Sequence, residues 1–147
     1  MIALIQRVSQ GQVKIDQQEI ASIGIGIVAL IAIQPEDGMD QVKKMIKRLL
    51  NYRIFPDKMG KMNLSLVDIE GSIILVPQFT LLADTTRGNR PSFSGNLPPE
   101  KGELIFKDLI NHSKEQYNRV QNGIFGSDMQ VSLINDGPVT LWLSGIG

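Results

Sequence analysis

The chain has 147 residues, no cysteine, one histidine and a formal net charge of zero. The lack of cysteine excludes disulfides, thiolate metal sites and a cysteine nucleophile. A His-based zinc site or a Ser-His-Asp triad would depend on His112 alone. The balanced charge argues against nucleic-acid binding driven by bulk electrostatics, but it is compatible with a local basic patch. The length predicts one domain, residues 1–147, with a core that needs no cross-links.

The apolar segments of the chain are too short to enter a membrane. The N-terminal run is interrupted by Arg7, so it does not resemble a signal peptide. The longest apolar run, Ile23 to Ile33, spans about 11 residues and includes glycines, whereas a transmembrane helix needs about 20. We therefore expect a cytoplasmic protein with no membrane partner.

The first third of the chain predicts β-structure. Ile2 to Val8 has the composition of a strand, and Val13 to Ile15 continues it in alternation. Glu19 to Gly24 is predicted to be a turn region. The run from Ile25 to Ile33 is β-branched and nearly continuous, which is typical of a strand buried on both faces. Gln34 to Gly38 then breaks it.

Two amphipathic helices are predicted. The first has apolar residues spaced i, i+3, i+4, i+7 and i+8, namely Val42, Met45, Ile46, Leu49 and Leu50. Its other face carries Lys43, Lys44, Lys47 and Arg48, either as a solvated face or as a patch that contacts phosphates. The second begins at Pro98-Pro99-Glu100 and runs to about Tyr117. Its inner side carries Ile105, Phe106, Leu109, Ile110, Ser113 and Tyr117, and His112 lies off this stripe, as a surface residue would.

The segments between and after the helices predict short strands and one long loop. Tyr52 to Pro56 is extended, Asp57 to Asn63 forms a glycine turn, and Ser72 to Val76 is a strand that Pro77 ends. Ala83 to Leu97 is a loop of about 15 residues, a length that usually marks a functional or disordered segment. The element order predicts an α/β fold, with mixed, largely antiparallel β-sheets (barrel-like or sandwich) covered by two main helices.

An Asp-Gly-Pro sequence lies between the last two β-like runs, Met129 to Ile134 and Val139 to Leu143. Asp136-Gly137 predicts a hairpin. An ordinary hairpin does not need Pro138, which removes a backbone donor and lowers the cost of a cis peptide to about 0.5–1 kcal/mol. The segment is therefore either a plain turn or a rigid one whose carbonyls select a ligand.

No self-sufficient hydrolytic motif is present, and the unusual features are two strand ends. The chain has no P-loop, no G-x-G-x-x-G after a strand, no H-E-x-x-H and no G-x-S-x-G. The two strand ends are Pro77 to Leu81 and Asn135 to Thr140. Together with further blocks along the whole chain, they closely resemble the D-aminoacyl-tRNA deacylases. The seven matching blocks cover residues 1–8, 52–55, 60–64, 78–81, 87–93, 128–133 and 135–140.

The resemblance implies a homodimeric editing enzyme without a metal or organic cofactor. Such an enzyme cleaves the ester that joins a D-amino acid, or mischarged glycine, to the terminal adenosine of tRNA. It implies that Gln78, Phe79 and Thr80 form the catalytic stretch of one subunit. Gly137 and Pro138 would reach in from the other subunit, joined by a cis bond, and their carbonyls would reject an L side chain. Gln78 to Thr80 would supply backbone donors, and the neighbouring ribose hydroxyl of the tRNA would assist the reaction.

Several alternatives remain open at this stage. Thr80 could itself be the nucleophile, although threonine is a poor one without an adjacent base and none is evident. The family's motif is Ser-Gln-Phe-Thr, whereas this chain has Pro77, so any role of the serine hydroxyl is lost. A different class of function would be a non-catalytic tRNA-binding module that uses the basic helix.

Other positions are assigned by the resemblance to supporting roles. Arg7 would brace the Gly-Pro turn through its carbonyls, or it would be a surface strand residue. Phe125 and Met129 would pack on the terminal adenine, or in the core. Arg87 and Arg90 in the long loop would contact phosphates.

Overall fold

The computed structural model describes residues 1–144. These residues form eight strands, two α-helices and one short 3-10 turn, Phe79–Leu82. The strands are β1 (Ile2–Ile15), β2 (Gln18–Ile23), β3 (Gly26–Ala32), β4 (Phe55–Pro56), β5 (Met62–Leu64), β6 (Ser72–Pro77), β7 (Val120–Asn122) and β8 (Gln130–Ser144). The helices are α1 (Met39–Asn51) and α2 (Pro99–Gln116). No helix within this part of the chain is long and apolar enough to cross a membrane.

The long strand β1 organises a mixed sheet. Strands β2 and β3 pair with β1 antiparallel, one after the other, and β8 also pairs with it antiparallel over nearly its whole length. From β3 the sheet continues in parallel through β6 to β7. The carboxyl ends of β3, β6 and β7 therefore lie at one edge, the usual position of ligand sites in parallel sheets.

A side chain closes most of the gap between the two ends of this sheet. Five of its six strands follow the order β2-β1-β3-β6-β7, so β2 and β7 are the ends of this path, and β8 pairs with β1 off the path. The Gln121 side chain of β7 donates from Nε2 to the Ser22 carbonyl at 2.8 Å, and its Oε1 accepts from the Ser22 N–H at 2.7 Å. One carboxamide thus makes the two bonds that a neighbouring strand would make, and the sheet is nearly closed into a barrel. The predicted fold class is confirmed.

Both faces of the central strands are buried. Ile27, Ala29 and Ile31 of β3 pack with the helices, whereas Val28 packs in the barrel interior with residues such as Ile74. This alternation follows from the two-residue period of a strand. The prediction of a strand buried on both sides is confirmed for residues 26–33, of which only Leu30 is partly exposed, whereas Ile25 is 63% exposed.

Both predicted helices are confirmed. All five apolar residues of the first stripe are buried, and the Gly38 N–H donates to Gln41 Oε1 at 2.9 Å where α1 begins. In α2 the buried side chains include Phe106, Leu109 and Ser113. Ile105, Ile110 and Tyr117 pack against the same cluster and are partly buried.

The prediction of a turn from Glu19 to Gly24 was wrong, because these residues lie mostly in β2. The turn comes earlier, at Asp16 and Gln17, whose φ angles are 49° and 66°. Positive φ at both central residues is the geometry of a tight hairpin turn, for which Asn-Gly or Asp-Gly is the usual sequence. Asp-Gln does not carry that signal.

The predicted Asp-Gly hairpin was also wrong. Both halves of β8 run in one direction, because each pairs antiparallel with the same strand, β1. Gln6 pairs with Thr140 and Val8 pairs with Asn135, so residues 136–139 bulge outward opposite Arg7. We call residues 136–139 the Gly-Pro bulge; within it, the Gly137–Pro138 peptide bond is cis.

Candidate active site

A cavity of about 650 Å³ lies at the carboxyl ends of the three parallel strands. Residues 31 and 33 line it from the end of β3 and the residue that follows this strand, residues 76–79 from the end of β6, and residues 125–129 from the segment after β7. Residues from 93 to 102, in the long loop and the first turn of α2, cover it. Its volume is in the range of about 300–1,000 Å³ that is usual for sites of small organic ligands.

The rim of the cavity is built where β6 stops. Pro77 has no N–H and ends the ladder, and the Gln78 N–H donates to the Ile31 carbonyl at 2.7 Å. The chain then enters the 3-10 turn, where the Gln78 side-chain amide donates to Thr80 Oγ1. Within residues 1–144, the N–H groups of Phe79 and Thr80 have no backbone acceptor. Two donors are therefore available beside the cavity.

The long loop is ordered and brings a second aromatic ring to this rim. Asp84 and Ser92 exchange backbone hydrogen bonds of 2.8 and 3.0 Å. Hydrogen bonds from the hydroxyl and N–H of Thr86 hold the pKa of Asp84 below its usual range. Phe93 then packs edge-on against Phe79, with ring centroids 5.3 Å apart. Phe79 is still 57% exposed, so its ring is available for further contacts.

The opposite wall is apolar, and two glycines make room for it. Phe125 packs against Phe106 with ring centroids 6.1 Å apart. A Cβ on Gly102 would lie 3.0 Å from the Phe125 ring, and one on Gly123 would lie 2.6 Å from the sulfur of Met129. The small residues therefore allow Phe125 and Met129 to seat in the wall.

The Gly-Pro bulge lies apart from the cavity of its own chain. Gly137 and Pro138 are exposed and do not line the cavity. Arg7 holds the bulge from below: its Nε donates to the Asp136 carbonyl at 2.8 Å and its Nη1 to the Ile54 carbonyl at 2.7 Å. The Asn135 side chain donates to the carbonyls of Arg7 and Val139 at 3.2 and 3.0 Å. The bulge is thus exposed and firmly supported.

The structure divides the predicted site residues into three groups. Gln78, Phe79, Phe125 and Met129 line one cavity, with Thr80 in the adjacent turn. Gly137, Pro138 and Arg7 meet at the bulge. Arg87 and Arg90 are exposed in the long loop and do not line the cavity.

His112 and Arg48 differ from expectation. His112 is half-buried, with Nδ1 3.9 Å from a Glu115 carboxylate oxygen, and it is not a cavity residue. On α1, Arg48 donates to the Ser144 carbonyl at 2.6 Å and lies 5.5 Å from the Tyr52 ring. The exposed patch on α1 therefore consists of the three lysines.

Sequence reasoning missed Phe93 and Asn96 as cavity residues. Phe93 lies in the matching block 87–93, so the resemblance could have indicated that it belongs to the site. Asn96 lies outside all seven blocks, and nothing in its local sequence indicated that it faces a cavity.

Proteins of known family match this chain over nearly its whole length. The family model described as D-Tyr-tRNA(Tyr) deacylase matches residues 4–144. The D-aminoacyl-tRNA deacylase of Francisella tularensis subsp. tularensis (strain WY96-3418) is 55% identical over 95% of this chain and 97% of that protein. The D-aminoacyl-tRNA deacylase of Pseudomonas aeruginosa (strain LESB58) is 49% identical over 97% of this chain and 99% of that protein.

Two solved structures share the fold. A structure described as the c-Myc DNA Unwinding Element Binding Protein superposes with a TM-score of 0.91 and 35% identity, over 98% of both chains. One described as a probable eukaryotic D-amino acid tRNA deacylase superposes with a TM-score of 0.83 over 97% of both chains, at 16% identity, and shows the likeness of fold alone. On the family model and the curated relatives, the chain belongs to the D-aminoacyl-tRNA deacylase family of hydrolases.

Proposed function

We propose that this protein hydrolyses the ester between a D-amino acid, or mischarged glycine, and the terminal adenosine of tRNA. The observation that supports this most directly is the cavity itself. It joins the Gln78–Phe79 rim, with its two available N–H groups, to an apolar wall of Phe125 and Met129. The rim suits a reacting ester, and the wall suits the flat face of a base.

The proposed chemistry relies on positioning and oxyanion stabilisation. An aminoacyl ester is already reactive, and one oxyanion donor is typically worth about 10²–10³ in rate. The N–H groups of Phe79 and Thr80 are the donors in this proposal, and the neighbouring ribose hydroxyl of the tRNA assists. In this proposal Thr80 is not the nucleophile, because the side chain bonded to its Oγ1 is the Gln78 amide, which cannot act as a base, and the described residues show no other side-chain partner for it.

The proposed enantiomer filter is the Gly-Pro bulge of a second copy. The bulge is exposed and supported by Arg7, but it does not reach its own chain's cavity. The exposed apolar side chains Val131, Ile134 and Trp142 of β8 offer a surface for a homodimer. In the dimer, the carbonyls of Gly137 and Pro138 would stand where an L side chain has to go, so only a D side chain or glycine is accepted.

The rest of the tRNA would be held by cations outside the cavity. Arg87 and Arg90 of the long loop and the three exposed lysines of α1 are available for phosphates. Because the net charge is zero, we expect these contacts to supply a modest, salt-sensitive part of the affinity.

Hydrolysis of D-tyrosyl- and L-tyrosyl-tRNA tests the proposal. We expect rapid release of D-tyrosine and little release of L-tyrosine, and equal or absent hydrolysis of the D form would contradict the proposal. Glycyl-tRNA serves as a third substrate, because glycine has no side chain to meet the bulge.

The variant Thr80→Ala tests the mechanism, with Thr80→Ser as the matched control. We expect Thr80→Ala to keep most of the activity, because its backbone N–H remains. Loss by several orders of magnitude in Thr80→Ala, with activity retained in Thr80→Ser, would instead identify the hydroxyl as the nucleophile.

Non-catalytic nucleic-acid binding is the second candidate. The solved structure at 35% identity is named as a DNA-binding protein, and the three lysines of α1 form a compact cationic patch. This function predicts that the protein binds uncharged and charged tRNA equally and releases no amino acid. Filter-binding and hydrolysis measured on the same samples separate the two candidates.

A further inference from the structure

An unsatisfied amide lies in the wall of the cavity. Asn96 lines the cavity, and its Nδ2 is buried without a hydrogen-bond partner among the described residues. It is the one buried side-chain nitrogen or oxygen atom in residues 1–144 with this property. A buried donor without an acceptor is unfavourable, so such an atom in a native protein needs an explanation.

The local structure holds Asn96 where it is. Its backbone N–H donates to the Phe93 carbonyl at 3.3 Å, and the next residue, Leu97, packs against the main core. The segment cannot swing into solvent without losing these contacts. The amide itself can turn, because the terminal torsion of asparagine is broad and roughly two-fold, and a half-turn exchanges Nδ2 with Oδ1. Nδ2 is buried as the side chain stands, so a half-turn of the amide is what would bring this donor to a ligand.

The chemistry of the proposed substrate narrows what this amide can bind. The ammonium group of the amino acid is a donor, so it could bond only Oδ1 and would leave Nδ2 without an acceptor. The ester carbonyl is assigned to the N–H groups of Phe79 and Thr80 at the rim. The side chain varies from one D-amino acid to the next, and glycine has none. The terminal adenine is the part of every substrate that offers ring-nitrogen acceptors.

We propose that Asn96 is a specificity residue that reads the terminal adenine: its amide turns so that Nδ2 faces the cavity and donates to a ring nitrogen of the base. The asparagine amide is a usual hydrogen-bond partner of adenine. The cavity places Asn96 with Phe125 and Met129, which would cover the face of the same base. The inference rests on the proposed function, since it takes aminoacyl-adenosine as the ligand.

Binding of a non-hydrolysable substrate analogue tests the inference without relying on turnover. The probe is 3′-deoxy-3′-(D-tyrosylamino)adenosine, with its 1-deaza and 7-deaza forms, each of which lacks one ring nitrogen. We expect one deaza form to bind the wild-type protein about 10-fold more weakly by calorimetry, which corresponds to about 1.4 kcal/mol. The variant Asn96→Leu should bind the parent analogue about 10-fold more weakly and show no further loss with that deaza form.

These four affinities form a double-mutant cycle, which shows directly whether Asn96 and the ring nitrogen interact. If the losses from Asn96→Leu and from the deaza substitution multiply, or if neither deaza form binds more weakly, Asn96 does not contact a ring nitrogen. Asn96→Asp keeps the shape and removes the donor, so it should lose affinity in the same way. Asn51→Leu, which changes an exposed asparagine on α1, should leave all affinities unchanged.

Stability measurements separate recognition from a purely structural role. Asn96→Leu removes a buried unsatisfied donor, so its melting temperature should equal or exceed that of the wild type while its affinity falls. A lower melting temperature together with weaker binding of all analogues alike would assign Asn96 to folding and overturn the inference. If the wild type binds the analogues but hydrolyses no D-tyrosyl-tRNA, the proposed function fails while the binding cycle still decides the role of Asn96.

Discussion

The cavity and the Gly-Pro bulge carry different parts of the proposed reaction, and they are built in opposite ways. The cavity is concave and assembled from four segments of one chain at the ends of parallel strands. The bulge is convex, comes from one strand, and is held by hydrogen bonds to its carbonyls. One region can bind a ligand alone, whereas the other can act only on a ligand held elsewhere. In our proposal, this difference is the reason that a second copy is needed.

The largest expected effect comes from disturbing the bulge while leaving the cavity intact. In Gly137→Ala, the new Cβ would lie 2.0 Å from the Val139 nitrogen and 2.8 Å from Asn135 Oδ1, so the bulge must rearrange. We expect the ratio of D- to L-tyrosyl-tRNA hydrolysis to fall about 100-fold, because a shift of about 1 Å in a group that must be placed accurately can cost that much. Affinity for the D-tyrosyl adenosine analogue should change little. Gly24→Ala is the control, since its Cβ would meet nothing within 4 Å; equal D/L ratios in the two variants would show that the bulge takes no part in selectivity.

A smaller effect is expected from removing the support of the bulge. Arg7→Lys keeps the charge, but a single ammonium cannot reproduce the planar fork that reaches the carbonyls of both Asp136 and Ile54. We expect the ratio of D- to L-tyrosyl-tRNA hydrolysis to fall about 10-fold. We also expect a loss of about 1.5–3 kcal/mol in the free energy of unfolding, from hydrogen bonds to a charged group. An unchanged ratio would mean that the bulge keeps its position without Arg7.

A substitution in the cavity wall changes the binding cavity while leaving the Gly-Pro bulge intact. In Gly102→Ala, the new Cβ would lie 3.0 Å from the Phe125 ring, so the ring must move slightly into the space for the base. We expect KM to rise a few-fold with kcat and the D/L ratio preserved, because binding changes while the bulge does not. A change in the D/L ratio would contradict the division of roles between the two regions.

The smallest effect concerns the loop that carries Phe93. The pKa of Asp84 is lowered in the folded state by the Thr86 hydroxyl and N–H, so its stabilising contribution is present above the unfolded value of 3.8 and is lost as pH falls through the lower folded value. Chemical denaturation should show wild type and Asp84→Asn converging in stability at low pH. A constant difference between them across that range would mean that the carboxylate does not stabilise the loop.

Sequence patterns predicted those parts of the molecule whose structure is set locally. The stripe from Val42 to Leu50 specified α1, and the continuous β-branched run specified β3, because burial on one or two faces leaves a periodic trace. The turn at Asp16 and Gln17 was missed, since its positive φ angles have no glycine or asparagine to mark them. The hairpin at Asp136–Gly137 was predicted wrongly, because the direction of β8 is imposed by the distant strand β1.

In the candidate site, too, the sequence predicted residues that lie in recognisable motifs and missed a residue whose role depends on its surroundings in the fold. Matching blocks indicated Gln78, Phe79 and Met129, the resemblance as a whole suggested Phe125, and the fold brings all four to one cavity. They also indicated that Arg7 contacts the bulge, and the structure has Arg7 donating to the Asp136 carbonyl. Asn96 could not be predicted, because what singles it out is that its buried Nδ2 has no acceptor among the described residues. The surroundings of one side-chain atom cannot be read from the sequence.

The carboxamide of Gln121 has a consequence for unwanted strand pairing at the β2 edge of the sheet. A strand at the end of a sheet exposes backbone groups that can template pairing with another chain, and native proteins protect such edges. On β2 the N–H and C=O of Ser22 are both already bonded to a single side chain. An incoming strand would have to displace the Gln121 side chain to pair with Ser22. This residue therefore protects the β2 edge from edge-to-edge aggregation.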